Sequence, residues 1–368
     1  MFYHMTERVR LNDPDYEHFI IDSQISLGLS NYRLTRFSDA LKCNTVVQTL
    51  HITGIPFGWC SDGITALSRA LMVNTTITKL ISCENSLGKV PEGMKLISES
   101  LKHNSTIRIL DLGENNIGRI SPSPCMVHLS DVLKVNTSVR ELYLRCNKLG
   151  KFSENMEILS DALKINTAVE VLLLDWNNIG KYSERNLFHL SNTLKINKTL
   201  QRLDLSHNNL GNCPEGLNSL SAVLKINETL QDLDLGHNDL WKCPSQLDYF
   251  FNAFRVNKSI QVLGLSYNDN RKYPLSSWLK HISSVLKENH TIKCLSLYQH
   301  QNVNVIECYP EAELFLNALS MNVSVQRLSM NFDDRVFEDA IDKITKRNTH
   351  NNFLKKRSLF ESLLFLVA

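Results

Sequence analysis

Two imidazoles and two carboxylates recur at fixed spacing in the middle of the chain. His207 follows Asp204 by three residues, and His237 follows Asp234 by three. Neutral imidazole and carboxylate are donors that zinc accepts, so the set raises a metal site. The two halves share their spacing because the surrounding phrase repeats, and Tyr267 stands where a third histidine would continue the series. No metal is expected. Cys213 and Cys243 align in the same way, in GNCPEG and WKCPSQ, and read as reduced thiols packed between turns. The chain shows no GxSxG, no phosphate-cradling glycine loop, no HExxH and no CxxC pair. No catalytic residue and no cofactor is assigned, and the chain is read as a non-enzyme.

The other chemistry open to these residues is recognition. Between paired leucines stand Asp111, Tyr143, Leu173, Asp204, Asp234, Gly264 and Ser296. Two positions after the second leucine stand Glu114, Cys146, Trp176, His207, His237, Tyr267, Gln299 and Phe332. No packing demand fixes either series. Adjacent parallel strands lie about 4.8 Å apart, so Trp176, His207, His237 and Tyr267 are expected to form one aromatic stripe flanked by Asp175, Asp204 and Asp234. Large aromatics ringed by charge resemble an interface hot spot. The expected partner-binding set is Tyr143, Trp176, Asp204, His207, Asp234, His237 and Tyr267; the alternative is ordinary solvated surface.

The elements that must hold these residues are legible from a repeated phrase. It reads LKVNTSVRELYLRCNKLG at 133–150, LKINTAVEVLLLDWNNIG at 163–180, LKINKTLQRLDLSHNNLG at 194–211 and LKINETLQDLDLGHNDLW at 224–241. One Asn per unit marks the register: Asn44, Asn74, Asn104, Asn136, Asn166, Asn197, Asn227, Asn257, Asn289 and Asn322, with Asn348 as a possible eleventh. The L-x-L stretch alternates like a strand with one buried face, so Leu203 and Leu205 point inward and Asp204 outward. Leu187, Leu190 and Leu194 then fall on one helical stripe. Each unit is therefore strand, turn, helix, turn. Such a unit cannot bury its apolar side alone and must stack on its neighbours.

The L-x-L-x-x-N-x-L core of LYLRCNKL, LLLDWNNI, LDLSHNNL and LDLGHNDL resembles the leucine-rich repeat family. The long unit with a helix is similar to the ribonuclease-inhibitor subtype. The resemblance spans about Val47–Leu328 and implies an α/β solenoid, a horseshoe of inner parallel strands and outer helices. Residues 1–43 are assigned to an N-terminal cap, with Ile25–Leu29 as a strand and Phe37–Cys43 as its helix. About ten repeats fill 44–348, and 349–368 form a C-terminal cap or tail. The first copy has Gly54-Ile55-Pro56 where the Asn region should be, and the last two carry Leu297-Tyr298-Gln299-His300 and Met330-Asn331-Phe332-Asp333 without the Asn, as terminal units do.

Within each unit the strand-exit Asn (Asn147, Asn177, Asn208, Asn238, Asn268) is expected to form a ladder that satisfies buried turn backbone. The marker Asn at the helix end is expected to take a left-handed cap. The glycine after the ladder Asn (Gly88, Gly118, Gly150, Gly180, Gly211) is expected to supply positive φ. A column of basic residues (Lys42, Lys102, Lys134, Lys164, Lys195, Lys225, Arg255, Lys287) suits the negative end of each helix dipole.

Composition limits the rest. A net charge of +2 gives no argument for nucleic acid. The opening MFYHMTERVRLNDPDYEHF has no apolar signal core, and nine scattered cysteines fit a reducing cytoplasm. The apolar tail SLFESLLFLVA is too short to cross a bilayer. The expected function is protein binding through the concave sheet, with a partner whose identity is unknown, no nucleic acid and no membrane span. Ran-type GTPase activators share chain length and repeat number, but they carry an acidic tail where this chain has KKRSLFESLLFLVA. A ribonuclease inhibitor would be acidic, and a nucleotide-binding receptor would need a P-loop. The abundance of Asn and Lys also suits an effector of an intracellular pathogen acting in a host cytosol, where it would bind a host protein.

Overall fold

The computed structural model describes residues 2–22, 30–55, 61–268, 275–299, 308–331, 334–335 and 337–350. The expected strand at 25–29 and the tail from 351 onward lie outside them. The chain forms two units, Met1–Asn208 and Asn209–Ala368.

Among the described residues of the first unit, seven parallel strands stand in sequence order: β1 His18–Ile21, β2 Thr49–Ile52, β3 Lys79–Ile81, β4 Ile109–Asp111, β5 Glu141–Tyr143, β6 Val171–Leu173 and β7 Arg202–Asp204. The register is strict, Leu80 opposite Leu110, Leu110 opposite Leu142, Leu142 opposite Leu172 and Leu172 opposite Leu203. These leucines and the second of each pair are almost fully buried. Each strand returns through a helix, for example Pro91–His103, Ser153–Ile165 and Glu184–Ile196. In the second unit β8 Asp232–Asp234, β9 Val262–Gly264, β10 Cys294–Ser296 and β11 Arg327–Ser329 pair in the same way. Its helices include Pro214–Leu224, Pro244–Val256, Leu275–Glu288 and Tyr309–Met321. The solenoid of strands and helices is as the repeat predicts. The first strand, β1, was not anticipated: HFII carries no leucine phrase, yet it pairs in register with β2.

The strand-exit ladder is present and begins earlier than expected. Ile55 N–H donates to Asn85 Oδ1 at 2.8 Å, Asn85 N–H to Asn115 Oδ1 at 2.9 Å, Asn115 N–H to Asn147 Oδ1 at 3.0 Å, and Asn147 N–H to Asn177 Oδ1 at 3.0 Å. Asn177 N–H then donates to Asn208 Oδ1 at 3.0 Å. Each Nδ2 turns back to the preceding strand end; that of Asn177 reaches Leu144 O at 2.9 Å. In the second unit Asn238 N–H donates to Asn268 Oδ1 at 2.9 Å. The first copy lacks its own Asn, so Asn85 of the next repeat serves it.

The marker Asn corrects the expectation of a left-handed cap. Asn104, Asn166, Asn197 and Asn257 have φ between −75° and −63° with extended ψ. Their amides form a second ladder instead. Asn166 Nδ2 donates to Leu133 O at 2.7 Å, and its Oδ1 accepts the Ala168 and Val169 N–H groups at 2.9 and 2.8 Å. Asn74, Asn104, Asn136 and Asn197 repeat the bond to the preceding helix at 2.7 Å each. Asn348 extends the series, donating to Asn322 O at 2.9 Å.

The glycine expectation is corrected as well. Gly88, Gly118, Gly150 and Gly211 are not among the positive-φ residues. What demands glycine is close approach: a Cβ on Gly150 would lie 2.4 Å from Asn178 O, and one on Gly211 would lie 1.9 Å from Asp239 O. At the aligned position of the next unit stands Trp241, buried with its ring 6.1 Å from that of His281.

Replacing Asn147 by Leu strands the N–H groups of Asn115 and Ile117, both of which its Oδ1 accepts. The expected loss is at least about 3 kcal/mol in urea unfolding, from about 1–3 per unsatisfied group. Asn166→Gly, harmless if the site were a left-handed cap, is expected to cost at least about 2 kcal/mol; an unchanged midpoint would refute the second ladder.

Candidate functional site

The turn that leaves each strand decides which side chains stand clear of the core. The two residues flanking each ladder Asn take left-handed backbone: Cys146 and Lys148 at φ 55° and 61°, Trp176 and Asn178 at 59° each, His207 and Asn209 at 55° and 57°, and His237 and Asp239 at 53° and 52°. L residues adopt this region at a cost. The buried Asn between them, bonded to the neighbouring repeat, holds it. The ladder thereby presents the residue before each Asn on the sheet's outer face.

In the first unit this brings Trp176 and His207 together. Their rings stack with centroids 3.9 Å apart and planes inclined by 11°, while Trp176 stays 54% exposed. Beside them stand Asp175, which precedes Trp176, Asp204, whose charge acts on His207 and Asp175, and Arg145, whose charge acts on Asp175; Tyr143 lies on β5. The Tyr143 hydroxyl donates to Glu141 Oε2 of its own strand. Burial, with Glu141 next, pushes the Tyr143 phenol up to about 12. Asp204 Oδ1 accepts the Ser206 N–H at 2.9 Å, and Asp111 Oδ1 the Gly113 N–H at 3.0 Å, so both carboxylates close their turns. Asp175 is pushed up to about 6, first by burial and then by the charge of Asp204, with Arg145 pulling the other way. Burial lowers the His207 imidazole, although Asp204 opposes it.

In the second unit His237 stacks on Tyr267 at 4.4 Å and 23°, and Tyr267 on Tyr298 at 6.3 Å and 15°. Asp234 Oδ1 accepts the Gly236 N–H at 2.8 Å. The carboxylate leaves no room on Gly264, where a Cβ would lie 2.5 Å from Asp234 Oδ1. Each unit thus has its own stacked aromatic set, Trp176 with His207 in the first and His237 with Tyr267 in the second, and Tyr298 joins the latter from outside the expected residues. Gln299 departs from the expectation: it is 3% exposed, and its N–H donates to Asn331 Oδ1 at 2.9 Å. Phe332 lies outside the described residues.

Arg145 escaped the sequence reading. It follows the second leucine of its strand, a position not read as part of the face, and its side chain passes over Gly113, where a Cβ would meet Arg145 Cγ at 3.0 Å. Among the described residues no three His, Cys, Asp or Glu side chains gather to hold a metal ion. Cys213 and Cys243 are buried thiols, and the latter's Sγ donates to Gly211 O at 3.0 Å. On the helix side much of the basic column is neutralised locally. Lys42, Lys102 and Lys164 pair with Asp39, Glu99 and Asp161 at 2.7, 2.8 and 2.7 Å. Lys225 lies over the Tyr249 ring at 3.5 Å. A cleft of about 460 Å³ opens between the helices Pro244–Val256 and Leu275–Glu288, where His281 stacks on Phe251.

The leucine-rich repeat family profile matches residues 103–119 and 197–212, each span running from the close of a helix through a strand into the ladder turn. Together with the in-register parallel strands and the helices between them, this shows the leucine-rich repeat fold. The chain carries leucine-rich repeats. Among solved structures, this leucine-rich repeat protein is similar to LegL7, a leucine-rich repeat-containing protein from Legionella pneumophila. The two are 18% identical with a TM-score of 0.55, over 84% of this chain and 93% of that one. It also aligns with actin-binding site 2 of leiomodin-1, at 23% identity and TM-score 0.34, over 45% of this chain and 89% of that one. The tropomodulin C-terminal domain from Caenorhabditis elegans aligns at 14% identity and TM-score 0.38, over 47% and 98%. No curated protein matches by sequence. Among the described residues no helix is long and apolar enough to cross a membrane.

The raised carboxyl of Asp175 carries a sign that can be checked. Its folded value lies above the ordinary 3.8, so the folded state holds the proton more tightly than the unfolded chain. Stability from this group is full below about pH 4 and is lost as pH rises through about 6. Asp175→Asn should therefore stabilise the protein at pH 7.5 by about 1–2 kcal/mol, with no gain at pH 4. Urea midpoints of both proteins across pH 4–8 measure it; equal midpoints at pH 7.5 would refute the assignment.

Proposed function

We propose that this leucine-rich repeat protein binds another protein through its sheet face and has no catalysis of its own. The observation that carries the reading is the pair of Trp176 and His207. Both are held on left-handed backbone by the Asn ladder and stacked on each other, with the indole more than half exposed. A large aromatic kept in water by a strained turn is favoured when a partner covers it. His237 and Tyr267 repeat the arrangement in the second unit. Tyr143, Asp204 and Asp234 complete the contact set, the two carboxylates with one oxygen already engaged in the turn. The reading places the protein in the cytoplasm, in keeping with its free thiols.

The test compares the wild type with a Trp176→Ala/His207→Ala/Tyr267→Ala protein shown by circular dichroism to be folded. Both serve as bait in cytosolic extract, beside an Ile165→Ser control on the helix side. The expected result is a partner retained by the wild type and the control and lost by the triple variant, with Kd at least about 100-fold weaker, or about 2.7 kcal/mol. Equal capture by all three baits would move the interface off the sheet.

A further inference from the structure

The sheet face of the first unit has a charge opposite to that of the chain. Over β3–β7 and the turns that follow, Glu84, Asp111, Glu114, Glu141, Asp175 and Asp204 face four bases, Lys79, Arg145, Lys148 and Arg202. Six carboxylates against four bases leave a net of minus two on a chain whose total is +2. The excess borders the aromatic pair: Asp175 directly precedes Trp176, and Asp204 stands three residues before His207. Asp175 is half-buried, and the neighbouring charge that acts on it most is another carboxylate.

Resting on the protein-binding reading, we infer that the partner presents a cationic segment, and that an arginine of that segment lies flat on the Trp176–His207 stack with its guanidinium against the carboxylates of Asp175 and Asp204. Each part of the site matches a property of that side chain. The exposed indole offers a face to a planar cation. The carboxylates accept the guanidinium's forked donors, which lysine cannot present. A cation arriving there also relieves the repulsion between Asp175 and Asp204. Arg145 already supplies part of that relief from within the chain, lowering Asp175 against the other influences. The contact is pH-dependent in one direction. The charged groups that act on Asp175 are Asp204 from β7, Arg145 from the turn after β5 and Asp111 from β4, and the charge of Asp175 in turn raises the Cys146 thiol. As pH falls through about 6, Asp175 loses its charge, and acidification also adds a positive charge at His207, whose imidazole burial holds below its ordinary value. Both changes disfavour a cation.

The probe is a fluorescein-labelled nine-residue peptide with three arginines separated by Gly-Ser, titrated with the intact protein at 150 mM salt by fluorescence anisotropy. The same peptide with lysine or glutamate in place of arginine is the comparison. The inference predicts at least tenfold weaker binding for Asp175→Asn/Asp204→Asn and for Trp176→Ala. It predicts less than a twofold change for Asp39→Asn/Asp161→Asn on the helix side, preference for arginine over lysine, and a tenfold loss between pH 7.5 and 5. Asp204→Asn keeps the oxygen that accepts the Ser206 N–H, so folding is preserved, and urea midpoints verify it. Equal losses from the two double variants would mean attraction to bulk charge only and overturn the inference, as would no binding. If the peptide fails while the Trp176 triple variant still loses its captured partner, the sheet face binds a non-cationic protein and only the inference falls.

Discussion

A backbone that turns twice in every repeat buries N–H and C=O groups that no helix or strand can satisfy. Two asparagines per repeat meet this need in the leucine-rich repeat protein. One follows the strand and bonds its own repeat to both neighbours; the other closes the helix and ties it to the helix before. Asparagine suits both places because one short side chain offers two donors and an acceptor. The spacing between repeats, the position of the helix and the left-handed turn all follow from these bonds. Where glycine occupies the turn, the ladder draws successive turns into backbone contact, with a Gly88 Cβ only 2.0 Å from Asn116 O.

This separation of duties explains why the face varies. Asn177 carries four inter-repeat bonds, whereas Trp176, one residue earlier, has its ring contact with His207 and is otherwise turned to solvent. The same backbone can therefore hold Glu114, Cys146, Trp176 or His207 at equivalent positions. What the face binds is decided by those residues and not by the fold. The uneven charge of the face, hidden in a nearly neutral total, is a property of the same positions.

Much of this was legible in the sequence. The leucine spacing specified strand, helix and register, because a period-two stretch followed by a 3.6-period stripe has one consistent packing. The ladder was legible at Asn147–Asn268 and overlooked at Asn85, where ISCENSLG puts a serine in place of the second leucine, and at Asn115, where LDLGENNIG keeps the phrase. The backbone angles were not legible. Asn at a helix end and Gly in a turn each have a common left-handed use, and here neither has it. Beside Asn178 and Asn209, the left-handed positions are occupied by Trp176, Cys146 and Lys148, types with no such preference, because bonds to the adjacent repeat outweigh local propensity. The local charge of Asp175 was invisible for the same reason, since it depends on a residue one strand away.

The most direct test sets two adjacent residues against each other. Urea unfolding of Trp176→Ser and Asn177→Leu, each compared with the wild type at pH 7.5, separates the face from the skeleton. The account predicts a loss within about 1 kcal/mol for Trp176→Ser, the worth of one aromatic stack, and at least about 3 kcal/mol for Asn177→Leu. A Trp176 substitution as costly as the Asn177 one would contradict it, because the indole would then belong to the skeleton rather than to a surface kept for a partner.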